Sequence, residues 1–192
     1  MVLWTIQPVE ILEDLKNKGF FCCEENKAES ITGEFSFKNA YDWLVPEMEK
    51  RIGKKPKEIN YPIWAWHTRD WKRKKPDLRA SAYAKKGTKC VCLEIEIPDN
   101  EVVLSDFNAW HFVLINMYLD DSTNEFEWEK YQKEFDALSK SEQEIVKEKS
   151  WQKIFNVEPN KTEWLETGRF IQATFWKLKE ENIRKIQYFI AR

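Results

Sequence analysis

The sequence predicts an α+β fold in a single domain, residues 1–192, with a mainly antiparallel sheet and flanking helices. Strand-like segments occur at both ends of the chain, and amphipathic helical segments lie between them. The 192 residues, 42% of them hydrophobic, are enough to bury one core. The segments do not alternate regularly between strand and helix, as a parallel sheet requires, so we expect antiparallel pairing.

Strands are predicted where apolar and polar residues alternate. The clearest segment runs from Cys90 to Ile97, where apolar residues alternate with Cys and Glu, so one face should be buried. A short connection should join the last two strands of the chain. Further strands are expected at residues 2–6, 20–23, 63–67, 102–104, 170–178 and 183–190.

Helices are predicted from apolar residues at helical spacing together with capping residues. The first should begin at Pro8, which tolerates the loss of its N–H there, and should end at Gly19. A second should begin at Ser36 and contain Pro46, which should kink or divide it. A third should have Ser105 as its cap, before an apolar stripe.

A helical hairpin is predicted at about residues 122–155. Two capping-box patterns, Ser122 with Glu125 and Ser141 with Glu144, mark the starts of its two helices. Residues 120–148 carry ten carboxylates and four lysines, a net charge of −6. Such a surface is either a solvated face or a contact for another protein.

Composition excludes several classes of protein. A net charge of −2 rules out bulk attraction to nucleic acid, and no apolar run approaches the ~20 residues of a membrane span. The start of the chain lacks a secretory signal, so we expect a cytoplasmic protein that does not bind a membrane. No metal site is expected, because the four cysteines do not have zinc-knuckle spacing: Cys22, Cys23, Cys90 and Cys92.

The segment at residues 64–79 combines three tryptophans with a local excess of positive charge. Residues 69–79 hold six basic residues and two aspartates, a net charge of +4. Indole rings stack on bases and guanidinium groups donate to phosphate, so the segment is a candidate nucleotide or nucleic-acid site. Its residues would be Trp64, Trp66, His67, Arg69, Arg73, Asp77 and Arg79. Alternatively, the indoles enter the core and the cations coat an exposed loop.

A second candidate cluster lies where the strand at residues 102–104 meets the following helix. Ser105, Asp106, Trp110 and His111 occur there, and a helix N-terminus presents free N–H groups to an anion. Capping by Ser105 is the alternative. His67 and His111 are candidate proton-transfer residues, with packing as the alternative role.

The common catalytic signatures do not occur in this sequence. It contains no Walker phosphate loop, no G-x-G-x-x-G, no H-E-x-x-H, no calcium loop and no G-x-S-x-G. The common nucleotide hydrolases, dehydrogenases, metalloproteases and α/β hydrolases are thereby excluded.

Several motifs together resemble a known family over nearly the whole chain. They are LWTIQ at residues 3–7, AYDWL at 40–44, YPIWAW at 61–66, KPDLR at 75–79, LSDF at 104–107 with Trp110-His111, and QATFW at 172–176. This set is similar to an uncharacterised bacterial family of small cytosolic proteins, known only as a domain of unknown function. The resemblance implies no particular activity.

The chain also resembles, more distantly, the ADP-ribosyltransferase superfamily. Members often open with a strand that bears a polar residue, continue with a helix, and end on strands that carry an acidic residue or its substitute. Thr5 and Gln7 would occupy the first strand, and Gln172 would stand near the acid. This resemblance implies NAD as a ligand and adds Gln172 to the candidate catalytic residues. No other cofactor is expected.

The sequence thus favours a pocket for a nucleotide-like ligand, of NAD type, or for nucleic acid. The alternative is a non-catalytic module that binds a partner protein through aromatic residues and the acidic hairpin. Whether the protein is an enzyme, and its oligomeric state, stay open. The candidate catalytic residues are His67, His111 and Gln172, and the ligand-binding set is Trp4, Thr5, Gln7, Trp64, Trp66, Arg69, Arg73, Asp77, Arg79, Ser105, Asp106 and Trp110.

Overall fold

The computed structural model describes residues 1–34, 36–80, 83–161, 164 and 166–192, and it confirms the α+β class. Its strands are β1 (Val2–Pro8), β2 (Phe20–Phe21), β3 (Ile63–Arg69), β4 (Lys89–Glu96), β5 (Val103–Asp106), β6 (Asn160–Lys161), β7 (Glu166–Thr167), β8 (Phe170–Phe175), β9 (Leu178–Lys179) and β10 (Ile183–Ile190). Six of them form the main sheet in the order β10-β4-β1-β3-β8-β5, and each adjacent pair is antiparallel. Two small sheets pair β2 with β9 and β6 with β7.

Helices cover both faces of the main sheet and form the predicted hairpin. They are α1 (Ile11–Lys18), α2 (Glu29–Thr32), α3 (Lys38–Ile52), α4 (Phe107–Leu114), α5 (Glu125–Asp136) and α6 (Lys140–Ser150), with 3₁₀ turns at Glu25–Lys27, Asp99–Glu101, Trp151–Phe155 and Glu180–Asn182. The hairpin consists of α5, α6 and the turn that follows them. Within the described residues, no helix is both long and apolar enough to cross a membrane.

Two apolar clusters lie on the two faces of the sheet. On one face, α1 packs Ile11 and Leu15 against Ile63, Ala65 and the alternate apolar residues of β4. On the other, the apolar residues of α3 and α4 pack with the 3₁₀ turn at Trp151–Phe155. Because strand side chains alternate between faces, Ile63 and Ala65 belong to the first cluster while Trp64 lies against the second.

The strand β4 is buried on both faces from Cys90 to Leu93, so the prediction of one buried face is wrong for this half, whereas Glu94 is half-buried and Glu96 is exposed. Cys90 and Cys92 are as well buried as the apolar residues between and beyond them. The segment that follows β3 returns across this face, with Lys75 donating to Gln187 of β10, the Cα partner of Cys92. Sequence alternation shows only the polarity of each residue, so it does not reveal a loop that covers this face. The cysteines suit the covered face because cysteine is itself a small hydrophobe.

The helix starts are displaced from their predicted positions. Asp106, and not Ser105, caps α4 by accepting from the Ala109 N–H at 2.9 Å, because β5 continues through Asp106. The other starts shift in the same way, because more than one residue at each start can accept from a backbone N–H. Asn124 caps α5 in place of Ser122, Ser139 with Glu142 forms the capping box of α6 in place of Ser141 with Glu144, and α3 begins at Lys38, whose N–H donates to Ser36.

Of the two prolines assigned to helices, Pro8 lies in a strand and Pro46 lies inside its helix. Pro8 is the last residue of β1 and not the first residue of α1, and the Val9 N–H continues the ladder by donating to Lys89. Pro46 does not divide α3, which runs unbroken over 15 residues. Burial of Leu44 and Met48 beside Pro46 stabilises the helix enough to offset the one missing hydrogen bond. Gly19 ends α1 as predicted, with φ of 75°.

The last two long strands do not pair with each other. β8 lies between β3 and β5, whereas β10 forms the opposite edge of the sheet beside β4. The residues between them form β9 and a 3₁₀ turn, so the chain crosses from one end of the sheet order to the other. The connection, predicted at residues 179–182, therefore begins earlier, after β8 ends at Phe175, and it is a crossover.

The central strands β1 and β3 pair over a short stretch only. Their register is set by a single pair of Cα partners, Trp4 and Trp66. Toward Pro8 and Pro62 the ladder does not continue, and the Thr5 hydroxyl reaches across to donate to the Trp64 carbonyl at 2.8 Å. The sheet is therefore split between its third and fourth strands.

Candidate functional site

A cavity of about 830 Å³ occupies the split between β1 and β3. Residues 6–8 line one side of it and residues 62–66 the other. Ile63 and Ala65 point to one face of the sheet and Trp64 and Trp66 to the other, so the cavity reaches both faces. Its volume lies within the ~300–1,000 Å³ of small-molecule sites.

Aromatic rings form the wall of the cavity on the α4 side of the sheet. Trp66 contacts Phe107, with ring centroids 5.2 Å apart, and Phe107 lies edge-on to Phe170 at 6.4 Å. Trp64 continues this wall and is supported from behind by Trp110, 5.2 Å away. The wall is therefore built on β3, β8 and the first turn of α4, which are packed elements and not loops.

Arg69 is the cation of the cavity. Its Cζ lies 4.5 Å from the centroid of the Trp66 ring, 5.8 Å from that of Tyr83 and 5.9 Å from that of Phe170. The guanidinium is partly buried, yet it makes no hydrogen bond or ion pair to any residue that the structure describes. Its five N–H donors are thus held beside an aromatic wall without an acceptor.

Polar atoms without partners also line the cavity. Gln172 Oε1 and the Tyr83 hydroxyl are buried and have no hydrogen-bond partner among the described residues. Trp64 Nε1 likewise has no partner of good geometry in that part of the chain, although Tyr41 is its polar neighbour. Buried polar groups are normally hydrogen-bonded, so atoms of this kind around a cavity indicate a missing acceptor or donor.

The polar residues of β1 hold the two strands together at the edge of the split. Gln7 Nε2 donates to the Thr5 hydroxyl at 2.9 Å, and that hydroxyl donates to the Trp64 carbonyl. Thr5 is fully buried, whereas Gln7 lines the cavity. Of these two residues on the opening strand, only Gln7 can touch a ligand directly.

A strained turn fixes the position of Arg69. Arg69 and Lys72 exchange two backbone hydrogen bonds, of 2.9 and 3.1 Å, around the two-residue loop Asp70-Trp71. Both loop residues have positive φ, 52° and 63°, as in a type I′ hairpin turn, where Asn-Gly is preferred. A tryptophan at positive φ is a genuine outlier. It is held by its N–H bond to the Arg169 carbonyl at 3.0 Å and by Lys161 over its ring.

Acidic residues line the cavity on the α1 side. Glu10, Asp14 and Glu24 are found there, and Lys18 pairs with Asp14 at 2.9 Å and with Glu24 at 3.6 Å. Burial, with smaller contributions from Cys22 and nearby glutamates, raises the pKa of the Cys23 thiol to about 11. The thiol therefore stays protonated near neutral pH and is a weak nucleophile.

Two arginines and one aspartate assigned to the site lie outside the cavity. Arg73 donates to the carbonyls of His67 and Val2, so its guanidinium already binds the backbone. Arg79 and Asp77 form an exposed pair, with Arg79 Nη2 2.7 Å from Asp77 Oδ2. This pairing with Arg79 holds the pKa of the Asp77 carboxyl well below its usual range.

Neither histidine lines the cavity. His67 shares a hydrogen bond of 2.9 Å with the Thr68 hydroxyl, and burial together with the charge of Arg73 lowers its pKa to about 4. His111 is exposed, with Nδ1 2.8 Å from the Phe107 carbonyl one turn earlier on α4. His67 is thus neutral near pH 7 and lies at the end of the sheet where Asp99 and the N-terminus meet.

The second predicted cluster is dispersed by the fold. Asp106 accepts from the Ala109 and Gly168 N–H groups, at 2.9 and 2.6 Å, and burial raises the pKa of its carboxyl against these hydrogen bonds. Ser105 lies next to Gln172 in the register but does not line the cavity. Trp110 is 3% exposed and serves the core, while Trp4 donates to Glu94 at 3.2 Å.

Three aromatic residues of the site did not stand out in the sequence. They are Phe107, Phe170 and Tyr83. Phe170 and Gln172 are two residues apart on one strand, so strand alternation puts them on the same face, and this signal was available. Nothing in the sequence near Tyr83 indicates that it approaches Arg69, because that contact depends on the path of the chain after β3.

Within the described residues, no group of three or more His, Cys, Asp or Glu side chains is arranged to hold a metal ion.

Comparisons with known proteins place the chain in a family. No curated protein and no solved structure matches the chain significantly. A family model described as "Domain of unknown function (DUF3841)" matches residues 2–184, nearly the whole chain. The protein therefore belongs to the DUF3841 family.

Proposed function

We propose that the cavity between β1 and β3 binds a nucleotide-like small molecule, with a phosphate group at Arg69 and planar groups against the aromatic wall. The observation that carries the proposal is the guanidinium of Arg69, which stacks on Trp66 and makes no ion pair with a described residue. The structure supports a ligand here because the aromatic rings of the wall and the partnerless polar atoms of Gln172 and Tyr83 line the same cavity.

The state of Arg69 favours an anionic ligand. A partly buried guanidinium without an acceptor has lost water and gained no hydrogen bond in return, which is unfavourable. Its planar array of donors matches two oxygens of one phosphate group, and charge-assisted bonds of this kind are about twice as strong as neutral ones. A phosphate bound here would satisfy donors that the described residues leave free.

The remaining surface suits the rest of a nucleotide. Trp66, Phe107 and Phe170 offer ring faces and edges to a base, and such stacking contributes about 1–3 kcal/mol per base. Gln172 Oε1 can accept from a sugar hydroxyl or an amide, and the Tyr83 hydroxyl can donate to a ligand. Burial raises the pKa of the Tyr83 phenol, so it remains a neutral donor near pH 7.

A free nucleotide is better supported than a nucleic-acid strand. A strand needs several cations along its backbone path, yet Arg73 and Arg79 are engaged with the protein itself. Only Arg69 among the three candidate phosphate ligands lines the cavity. A concave site that has one free cation among the described residues suits one small molecule.

The proposal concerns binding and not transfer chemistry. NAD is the dinucleotide that the resemblance to ADP-ribosyltransferases implies, and Gln7 and Gln172 both line the cavity, which supports NAD as a probe. A glutamine amide does not take up a proton near neutral pH, so Gln172 cannot serve as a general base. Release of nicotinamide from NAD is the readout that would extend the proposal to transfer.

Isothermal titration calorimetry tests the proposal with NAD, ADP, ATP and adenosine. We expect the phosphate-bearing ligands to bind and adenosine to bind more weakly. Arg69→Ala should weaken nucleotide binding roughly 10- to 100-fold, the equivalent of about 1.5–3 kcal/mol for a charged hydrogen bond. Arg79→Ala is the matched control, because Arg79 is exposed and outside the cavity, and its affinity should match the wild type.

Two outcomes would overturn the proposal. The first is the absence of any heat of binding with all four ligands at millimolar concentration. The second is equal loss of affinity in the Arg69 and Arg79 variants. A short single-stranded oligonucleotide run alongside separates the alternative, since binding that falls steeply with salt and depends on Arg79 would indicate nucleic acid.

A further inference from the structure

The two edges of the main sheet differ in how they are covered. β5 forms one edge, has only four residues, and packs against the 3₁₀ turn at Trp151–Phe155. β10 forms the other edge and has eight residues. In the described part of the chain, the backbone of β10 makes hydrogen bonds only to β4. Long unpaired edges of this kind are templates for another strand.

The side chains of β10 add an apolar stripe to this open edge. Ile186, Tyr188 and Ile190 are 40%, 65% and 62% exposed. They are two residues apart and so lie on one face, beside Leu93 and Val91 of β4, which are fully buried. The exposed stripe therefore continues the core of the sheet to its rim. Edges that stay unpaired usually carry a charged residue or proline in such positions.

We propose that a second copy of this chain pairs with β10, antiparallel, about a two-fold axis through Gln187. Such an isologous contact needs one patch only, because the same residues meet from both copies. It would join two six-stranded sheets into one continuous sheet and set the apolar stripes of both copies side by side in contact. A parallel or shifted arrangement would leave part of each stripe exposed.

Charge placement along β10 favours this register. The strand carries Arg184 and Lys185 near its start and no acidic residue. Antiparallel pairing about Gln187 sets Ile186 opposite Tyr188 of the second copy, which is an apolar pair. Lys185 then faces Phe189 of the second copy, so no two cations lie directly opposite each other, and Arg184 lies at the register shift between Ile183 and Lys185. Arg184 is also neutralised within its own chain by Glu96.

Light scattering coupled to size-exclusion chromatography tests the pairing on the full chain. We expect a dimer at about 100 μM protein, where a Kd near 10 μM already leaves most chains paired. Tyr188→Lys puts a cation on the apolar stripe and should raise the Kd at least tenfold, which leaves at least half of the chains monomeric at this concentration. Ile145→Lys, on α6 and 67% exposed, is the matched control and should remain dimeric.

The melting temperature of each variant verifies its fold, and nucleotide affinity in Tyr188→Lys should equal that of the wild type. A wild-type chain that is monomeric at this concentration would overturn the proposal, as would a dimer that Tyr188→Lys and Ile145→Lys leave equally intact. If Ile145→Lys alone dissociates the dimer, the interface lies on the helical hairpin and the proposal also fails.

Discussion

Two neighbouring parts of the chain carry arginine residues that have opposite roles. The strand β3 ends at Arg69, whose guanidinium stacks on Trp66 inside the cavity without an ion pair in the described structure. The segment from Arg73 to Arg79 is more basic than β3, yet Arg73 binds two backbone carbonyls and Arg79 binds Asp77. Positive charge by itself therefore does not mark a ligand site. What matters is whether the donors are already used.

The largest effect that could contradict this difference between Arg69 and Arg73 is a change in the free energy of unfolding. Arg73→Ala removes hydrogen bonds that tie the loop to β1 and β3, and bonds to a charged donor contribute about 1–3 kcal/mol to stability. We expect a lower urea midpoint, with nucleotide affinity within about twofold of the wild type below the transition. Arg69→Ala should leave the urea midpoint near that of the wild type and should weaken nucleotide binding. If both variants lose stability alike, the distinction between a free and an engaged arginine is wrong.

A smaller effect is expected at Gln172, which lines the same cavity as Arg69. Gln172→Met keeps the length of the side chain and removes a buried acceptor without a partner among the described residues. The free energy of unfolding should rise by about 1 kcal/mol, because the desolvation cost of that acceptor disappears. Nucleotide affinity should fall severalfold. Denaturant unfolding and calorimetry measure the two quantities, and a less stable variant would mean that Gln172 has a structural partner.

The smallest expected effect is a pH dependence of stability at His67, whose carbonyl accepts from Arg73. The folded pKa of His67 is about 4, below its ordinary value of 6.5, because burial and Arg73 disfavour the charged ring. As pH falls from 6.5 toward 4, the unfolded chain binds a proton that the folded chain does not, so stability is lost across this window. His67→Gln should make the decline in melting temperature shallower there. An unchanged pH profile would show that His67 is not responsible.

The sequence predicts part of the site because β3 is regular as far as Trp66. Trp64 and Trp66 are two residues apart, so alternation alone puts them on one face, and both line the cavity. Arg69 lies beyond a register shift between Trp66 and Thr68, and this irregularity brings it back toward the Trp66 ring. Strand periodicity cannot anticipate such a shift.

The residues after β3 could not be placed from the sequence, because their partners are distant along the chain. Arg73 meets Val2, and Trp71 is held in its strained turn by Arg169. These contacts depend on the strand order of the sheet, in which β1 separates β3 from β4. The predictions of capping residues were wrong for a local reason: several acceptors lie near each helix start, and the strand before α4 runs two residues further than its apolar pattern suggests.

The α+β class, the antiparallel sheet and the helical hairpin follow from the sequence, since the spacing of apolar residues shows which side of each element is buried. The separation of β1 and β3 beyond Trp4 and Trp66 is visible only in the folded chain, as is the entry of Arg69, alone among the candidate arginines, into the resulting cavity. A cavity is space enclosed by several elements, and its contents depend on which donors those elements leave free. Neither quantity is a property of any one segment.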